Sequence, residues 1–299
     1  MACRLALLEL DAWLWSISKP LACSKPQFEQ GFLNPNHIRS PFLISSNTLW
    51  EKMKVTHLGA AERKRPCYER RIKLFEECAV RERAKVDAAK AAAVPIIAIM
   101  PDGSTRSGVQ GVTTPFGIAN EILNSFGKKC VVARVDGKDW DLTRPLEDDC
   151  TLQLFSFEDE EGRDAFWHSS AHLLGQALEL EFGVDLTIGP ALGEGFYYDC
   201  FMGDRTLAEA DRKIVEKRIE QSIKENQRFE RAVVTREEAL SMFEENRFKV
   251  ELINSFPGDA VITVYRVGPM VDLCSGPHLP NTSLLKVRER TIEWKSHRS

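Results

Sequence analysis

The feature that most constrains the fold is an apolar run with helical spacing, residues 166–175, which carries two histidines. His168 and His172 are four residues apart, so a helix places both imidazoles on the same side. The neighbouring stripe is apolar and consists of Trp167, Ala171, Leu174 and Leu178. Because such a stripe is buried against a core, the histidines are expected at the edge of a buried face, beside Gly175, where a cavity can open.

A second motif lies about a hundred residues later, at residues 271–278. Cys274 and His278 are again four residues apart, but Gly276 and Pro277 between them exclude a regular helix. The pattern therefore predicts a turn that presents a thiol and an imidazole. Three of the six histidines of the chain fall in these two motifs.

The two motifs allow four interpretations. Three imidazoles and a thiol form a donor set for tetrahedral Zn²⁺. In a metal-free hydrolytic pocket, a neutral imidazole holds a water and takes its proton while other donors stabilise the oxyanion. Cys274 as a nucleophile paired with a histidine is the third interpretation. In the fourth the side chains are merely packed, although three buried imidazoles without partners are costly. Spacing alone does not choose among them.

Composition narrows the classes of function. The 299 residues carry a formal net charge of −4, so a nucleic-acid contact has to depend on local patches. The eight cysteines contain no CxxC pair, which indicates reduced thiols in the cytosol rather than a disulfide framework. No apolar stretch is long enough for a membrane span. Serines near the start fit an organellar transit peptide, but Glu9, Asp11 and Glu29 disfavour one, so a cytoplasmic protein is expected.

Five segments are expected along the chain. Residues 1–57 contain several prolines and no clear period, which indicates a disordered or poorly ordered extension. Residues 58–93 predict a charged helix with a solvated face, or alternatively a contact to RNA or a partner. Residues 94–158 predict a small β-β-α-β-β domain, residues 159–286 a larger mixed domain and residues 287–299 a polar tail. The predicted fold class is therefore α+β.

Local signals place several elements. Thr114 followed by Pro115 starts a helix that is predicted to end at Gly127. Its predicted buried residues are Phe116, Ile118, Ala119, Ile122 and Leu123. Thr206 and Thr235 each precede a glutamate by three residues, which predicts capping boxes for helices ending near residues 229 and 246. Residues 247–253 and 260–266 are predicted strands. Nothing in the domain at 94–158 is predicted to be catalytic, and a docking or RNA-binding module is expected there.

Four motifs in order resemble threonyl-tRNA synthetases of the eukaryotic cytosolic type. They are Arg-Pro-Leu-Glu-Asp-Asp-Cys-Thr-Leu at 144–152, Phe-Trp-His-Ser-Ser-Ala-His-Leu-Leu-Gly at 166–175, Gly-Phe-Tyr-Tyr-Asp at 195–199 and Tyr-Arg-Val-Gly-Pro-Met-Val-Asp-Leu-Cys-Ser-Gly-Pro-His at 265–278. The resemblance covers residues from about 60 to 286. It implies a TGS domain of β-grasp fold at 94–158 and, at 159–286, the editing domain, or second additional domain, that alanyl-tRNA synthetases share.

The resemblance implies a double sieve. Seryl-tRNA(Thr), mischarged because serine is only a methyl smaller than threonine, is hydrolysed in a second pocket too tight for threonine. Catalytic roles are implied for His168, His172, Cys274 and His278. Substrate-binding roles are implied for Asp272, Lys249 and Tyr198. The family's editing pocket is expected to work without metal, whereas the related alanyl-type domains bind zinc, so Zn²⁺ at the four catalytic positions is the alternative.

The chain also departs from the family's pattern, because no class II catalytic core, aminoacylation zinc set or anticodon-binding module is found in it. ATP is therefore expected only for the full-length family member, and threonine ligation is not expected from this chain alone. The expected partner is the acceptor end of tRNA(Thr), with a full-length synthetase or a second copy of the chain as further candidates and no membrane. A non-catalytic module that binds tRNA or protein, such as a truncated synthetase, is the alternative function.

Overall fold

The computed structural model describes residues 4–5, 7–8, 46–122, 129–192, 195–203, 205–285 and 296–297. Most of the predicted extension at 1–57 and nearly all of the predicted tail at 287–299 lie outside these residues. Two short strands, β1 (Arg4–Leu5) and β2 (Leu7–Leu8), come first, and helix α1 (Ser46–Ala92) follows. The helix begins earlier than residue 58, where the sequence predicts its start.

Helix α1 is less solvated than its composition suggests. Phe75 and Cys78 are buried in a core formed with later strands and helices. Arg71, in the segment predicted to be a charged, solvated helix, is also buried, because it pairs with Glu179 and Glu245. The helix is therefore packed along part of its length onto the rest of the protein.

The first domain is a five-stranded sheet with one helix. Its elements are β3 (Pro95–Ile99), β4 (Thr105–Val109), α2 (Pro115–Glu121), β5 (Cys130–Val135), β6 (Lys138–Trp140) and β7 (Cys150–Ser156). The strand order is β4-β3-β7-β5-β6, in which β3 and β7 are parallel and the other neighbours antiparallel. This arrangement confirms the predicted small sheet wrapped on a helix, with β6 as a strand that the sequence did not reveal.

Helix α2 confirms the predicted start and corrects its length and buried face. The Thr114 hydroxyl accepts a hydrogen bond from the Gly117 amide at 3.1 Å, and Pro115 is the first helical residue. The helix ends at Glu121, and the predicted continuation at 123–127 lies outside the described residues. Phe116, predicted to be buried, is 47% exposed, because it lies two residues, about 200° of helical rotation, from buried Ile118.

Strand β5 is buried on both faces, as its continuous apolar run would require. Ala133 and Val135 belong to the core that includes Ile118 of α2. Val131 and Val132 belong to a second core, built mainly on helix α3 (Glu160–Phe182). The helix that carries the two histidines therefore packs directly on the first domain's sheet.

The remaining elements build the second domain around α3. They are β8 (Asp185–Leu186), β9 (Ala191–Leu192), β10 (Gly195–Tyr197), β11 (Cys200–Phe201), α4 (Glu209–Lys224), β12 (Phe229–Val234), α5 (Arg236–Met242), α6 (Arg247–Ser255), β13 (Ile262–Val267), β14 (Met270–Leu273), a 3₁₀ helix (Thr282–Leu284) and β15 (Ser296–His297). Strands β12, β13 and β14 form an antiparallel meander. Smaller pairings join β2 to β10 and β9, β8 to β11, and β1 to β15. The α+β class is thus confirmed.

Three local predictions are corrected here. Residues 247–253 form helix α6 rather than a strand, because the Asn246 carboxamide caps the amides of Phe248 and Lys249, and a short apolar run does not distinguish the two states. Helix α4 begins at Glu209 and ends at Lys224, with the Asp211 carboxylate, not Thr206, at its start. The capping box at Thr235 is confirmed, but α5 ends at Met242.

Among the described residues, no helix combines the length and apolar character that crossing a membrane requires.

Candidate hydrolytic site

Helix α3 presents the two histidines in different environments. The ring centroids of His168 and His172 lie 5.3 Å apart, which confirms that both imidazoles project from the same side of the helix. His172 is buried, whereas His168 is partly exposed and lines a surface cleft. The apolar stripe beside them is buried as predicted at Ala171, Leu174 and Leu178, and Trp167 stacks on Phe196.

The turn after β14 brings the thiol and the third imidazole to the same place. The chain turns at Gly276, which has φ +72° and sits against the Tyr265 hydroxyl, so closely that a Cβ would lie 2.1 Å from that oxygen. Ligand atoms of His168, His172, Cys274 and His278 all lie within 4.8 Å of one another. The predicted meeting of two motifs remote in sequence is therefore present in the structure.

Hydrogen-bond partners assign the direction of most contacts in this cluster. The Pro277 carbonyl can only accept, so His168 donates from Nδ1 (3.2 Å) and keeps a lone pair on Nε2. The Ser169 hydroxyl accepts from the Leu279 amide (3.0 Å) and has its own proton to give to Nδ1 of His278 (3.1 Å). His278 then carries its proton on Nε2, directed at the sulfur of Cys274.

Cys274 completes a continuous chain of donors and acceptors. Its Sγ lies 3.2 Å from Nε2 of both His168 and His278. The thiol therefore accepts from His278 and donates to His168, and the Gly276 amide provides a further donor at 3.3 Å. His172 stands apart, because its buried Nδ1 has no hydrogen-bond partner among the described residues.

Burial keeps the whole cluster uncharged at neutral pH. It lowers the pKa of His172 to about 3, with Lys249 adding to the effect and Asp272 opposing it. Burial also lowers the pKa of His168, and it lowers that of His278 well below the usual value. The same desolvation raises the pKa of the Cys274 thiol. The imidazoles are thus neutral bases, and the sulfur is a protonated thiol.

A buried triad of polar side chains lies next to His172. The Lys249 ammonium is 2.7 Å from one oxygen of Asp272, and the Tyr198 hydroxyl donates to the other. Burial by itself would raise the pKa of Asp272, but Lys249 and neighbouring groups lower it, so the carboxylate is ionised. Tyr198 also contacts the His172 ring edge-on, with the centroids 6.3 Å apart. All three predicted substrate-binding residues therefore meet beside the cluster.

The space beside Gly175 is not a cavity, which corrects the expectation that a cavity opens there. The Tyr198 ring fills it so closely that a Cβ on Gly175 would lie 2.6 Å from Cε2 of the ring. Gly189 approaches the same ring from the 186–201 segment, and its Cβ would lie 2.4 Å from Cδ2. The opening lies instead on the His168 side, as a cleft of about 680 Å³ between the two domains.

Three residues of the site were missed by sequence reasoning. Ser169 fixes the His278 ring, and Tyr265 packs edge-on against that ring with its centroid 4.7 Å away. Asp141 of the first domain accepts from the His278 amide. A serine beside a histidine, or an aspartate after a short strand, is too common in sequences to be identified as a site residue. Only its three-dimensional placement distinguishes it from other such residues.

The domains match those of a class of aminoacyl-tRNA synthetases. Residues 96–156 match the TGS domain, and residues 262–288 match the threonyl and alanyl tRNA synthetase second additional domain. The mitochondrial threonine–tRNA ligase 1 of Arabidopsis thaliana is 47% identical over 232 residues, 76% of this chain and 32% of that protein. The probable cytoplasmic threonine–tRNA ligase 1 of Dictyostelium discoideum is 47% identical over 193 residues, 64% and 27% of the two chains.

The cytoplasmic threonine–tRNA ligase 2 of Homo sapiens is 44% identical over 185 residues, 62% of this chain and 23% of that protein. The chain thus spans about a third or less of the length of these relatives. It belongs to the threonyl-tRNA synthetase family and carries that family's TGS and second additional domains, which confirms the predicted resemblance.

Proposed function

We propose that the second domain hydrolyses the ester bond of seryl-tRNA(Thr). The observation that carries this proposal is the convergence of three neutral imidazoles and a thiol, from elements remote in sequence, beside a cleft that His168 lines. The family relationship supports it, since relatives that are 47% identical to this chain are threonine–tRNA ligases. In this proposal the partner is the acceptor end of tRNA(Thr), and the protein acts in the cytoplasm.

The reaction needs a base that is neutral before it takes a proton. A water oxygen attacks the ester carbonyl carbon, and His172, whose Nδ1 has no hydrogen-bond partner among the described residues, takes the water's proton. The bond between that carbon and the ribose oxygen then breaks, and the same proton passes to the ribose oxygen. The products are serine and tRNA, so that no other reactant is consumed. Lowered histidine pKa values support this role, because they keep the base unprotonated at neutral pH.

Cys274 acts as a hydrogen-bond donor and acceptor in this proposal, not as a nucleophile. Burial raises the pKa of its thiol, whereas a nucleophilic cysteine needs the opposite shift. Its sulfur instead links Nε2 of His168 to Nε2 of His278, and the Pro277 carbonyl and the Ser169 hydroxyl set the tautomers of the two rings. His278 therefore serves the pocket through its orientation of the thiol.

The buried triad is proposed to hold the water and the 3′ end of the substrate. Asp272 is an ionised acceptor next to His172, and Lys249 and Tyr198 fix its position. The rim of the cleft carries four carboxylates and Arg134, so it disfavours phosphates and suits the cationic amino group of an aminoacyl ester. The phosphate backbone of the tRNA is then held by surfaces other than this cleft.

A zinc centre is the second candidate, because the donor set fits the ion. Tetrahedral Zn²⁺ places a nitrogen and a sulfur donor about 3.5 Å apart, close to the 3.2 Å between Sγ of Cys274 and each Nε2. The residues that would hold the ion are His168, His172, Cys274 and His278. Bound zinc would supply a Lewis acid that lowers the pKa of water.

The tautomer of His278 separates the two candidates. A metal on Nε2 forces the His278 proton onto Nδ1, where it must donate to Ser169, opposite to the direction in the metal-free chain. Nitrogen NMR of the histidine side chains, together with metal analysis of the purified protein, distinguishes them. A Zn²⁺ content near one per chain, with the proton on Nδ1, would favour the metal centre.

Activity is tested with seryl-tRNA(Thr) and threonyl-tRNA(Thr) as paired substrates. We expect the chain to hydrolyse the seryl ester faster, and His168→Ala and Cys274→Ala to lower that rate strongly. Cys150→Ala is the matched control, because it removes a buried free thiol of the first domain. Equal rates for the wild type and both site variants would refute the hydrolase and favour a non-catalytic module that binds tRNA or protein.

A further inference from the structure

One carboxylate of the first domain reaches into the site of the second. Asp141 directly follows β6 and is buried, although it belongs to a loop of the β-grasp sheet. Its Oδ1 accepts a hydrogen bond from the His278 amide at 2.9 Å, and its Oδ2 accepts one from the Tyr265 hydroxyl at 2.6 Å. Both carboxylate oxygens therefore bind groups of the other domain.

The two partners of Asp141 are part of, or in contact with, the turn that carries the Cys274 thiol. The His278 amide ends that turn, and the Tyr265 hydroxyl lies against Gly276 inside it. Tyr265 also packs edge-on against the His278 ring at 4.7 Å. A shift of Asp141 would thus be transmitted to the backbone of His278 and to the ring that Cys274 contacts.

His278 is held by groups from several elements. Ser169 of α3 binds Nδ1 of its ring, Phe229 of β12 stacks on the ring at 4.8 Å, and Asp141 binds its backbone. Ser169 and Phe229 act on the ring, whereas Asp141 binds the amide of the peptide group that attaches it, and the carbonyl of that group, from Pro277, accepts from His168. Reactive geometry is sensitive to such placement, since displacements of about 1 Å can lower rates about 100-fold.

We propose that Asp141 is a positioning residue, through which the docked β-grasp domain sets the geometry of His278 and Cys274 for hydrolysis. This inference rests on the proposed function of the site. Asp141 touches no substrate in this proposal, so its loss lowers kcat and leaves KM nearly unchanged. Through Asp141, the first domain takes part in the reaction without providing a catalytic residue of its own.

The test compares Asp141→Ala with Asp136→Ala in the full chain. Asp136 is the matched control, because its carboxylate also accepts two hydrogen bonds, from the Thr151 amide and hydroxyl, but both stay within the first domain. Both variants should lower the unfolding temperature. Only Asp141→Ala should lower kcat for seryl-tRNA(Thr), by about 10- to 100-fold, and Asp141→Asn, which keeps one acceptor oxygen, should recover part of it.

Nitrogen NMR of the His278 side chain gives a readout that does not depend on activity. The wild type should show one protonated ring nitrogen, and Asp141→Ala should show a mixture of tautomers, with Asp136→Ala like the wild type. Full kcat in Asp141→Ala, or equal losses in both alanine variants, would overturn the proposal. An inactive wild type would instead refute the hydrolase, and unchanged His278 signals in Asp141→Ala would then refute the positioning role.

Discussion

Gly175→Ala tests whether the packing of Tyr198 supports the site. The added Cβ would lie 2.6 Å from Cε2 of the Tyr198 ring, far inside a normal contact. The ring cannot easily move away, because Gly189 lies against it and its hydroxyl is bound to buried Asp272. The substitution therefore has to displace the ring or the helix.

The expected change in the free energy of unfolding on Gly175→Ala is the sum of three effects. Alanine in place of glycine favours the helix by about 1 kcal/mol. Overpacking of the core costs about 1–3 kcal/mol, and loss of the Tyr198 hydrogen bond to an ionised carboxylate costs about 1.5–3 kcal/mol. The net expectation is a destabilisation of about 1.5–5 kcal/mol by this addition.

Urea unfolding measures this loss, and hydrolysis of seryl-tRNA(Thr) should fall with it, since Tyr198 contacts both His172 and Asp272. Gly117→Ala in α2 is the matched control, because its Cβ would meet only Thr114 Oγ1 at 3.6 Å. That control should be neutral or slightly stabilising. A Gly175→Ala variant with wild-type stability and rate would refute the reasoning.

Three further predictions concern stability. Arg71→Ala leaves Glu179 buried without its guanidinium partner and should cost about 3–5 kcal/mol; adding Glu179→Gln should recover part of it, and strict additivity would contradict the pairing. Thr235→Ala should cost about 1 kcal/mol by removing the hydroxyl that caps the Glu238 amide, whereas Thr235→Ser should not; equal midpoints in urea would argue against the cap. The histidine cluster should weaken the fold in acid, because histidines with a lowered pKa stay neutral in the folded state while the unfolded chain binds protons. The free energy of unfolding should start to fall as the pH drops below about 6.5. It should fall by up to about 1.4 kcal/mol per imidazole for each pH unit. For His172 this destabilisation continues as the pH falls toward the pKa of about 3 that His172 has in the folded state. The raised pKa of Glu179 offsets part of it, because folded Glu179 binds a proton more readily than the unfolded chain does. A urea midpoint that does not change between pH 7.5 and pH 5 would contradict it.

Much of the site was predictable from short-range patterns. The spacing of His168 and His172 fixes their common direction on any helix, and Gly276 with Pro277 fixes a turn. The contact between Cys274 and these histidines followed only from the family resemblance, because a periodic pattern does not predict a contact between residues about a hundred positions apart. The same limit hid Ser169, whose hydroxyl matters only through its distance to His278.

The errors in the fold have a common physical cause. At residues 247–253 a short apolar run fits a strand or a helix, and the Asn246 cap decides for the helix. Arg71 lies in the segment predicted to be a solvated helix, and Asp141 lies in the domain for which no catalytic residue was predicted. Each is buried because a partner from a remote element pairs with it. Charged residues reveal their burial only when such partners are known.

The central claim is that neutral imidazoles serve as the base for hydrolysis of the seryl ester. Its most direct test is the single-turnover rate constant with seryl-tRNA(Thr) as a function of pH, after subtraction of the uncatalysed hydrolysis. Because burial lowers the pKa of His168 and His172, the rate constant should hold from about pH 8 down through about pH 6.5, the usual histidine pKa, and decline only in more acidic solution. A decline centred at or above about pH 6.5 would contradict the claim.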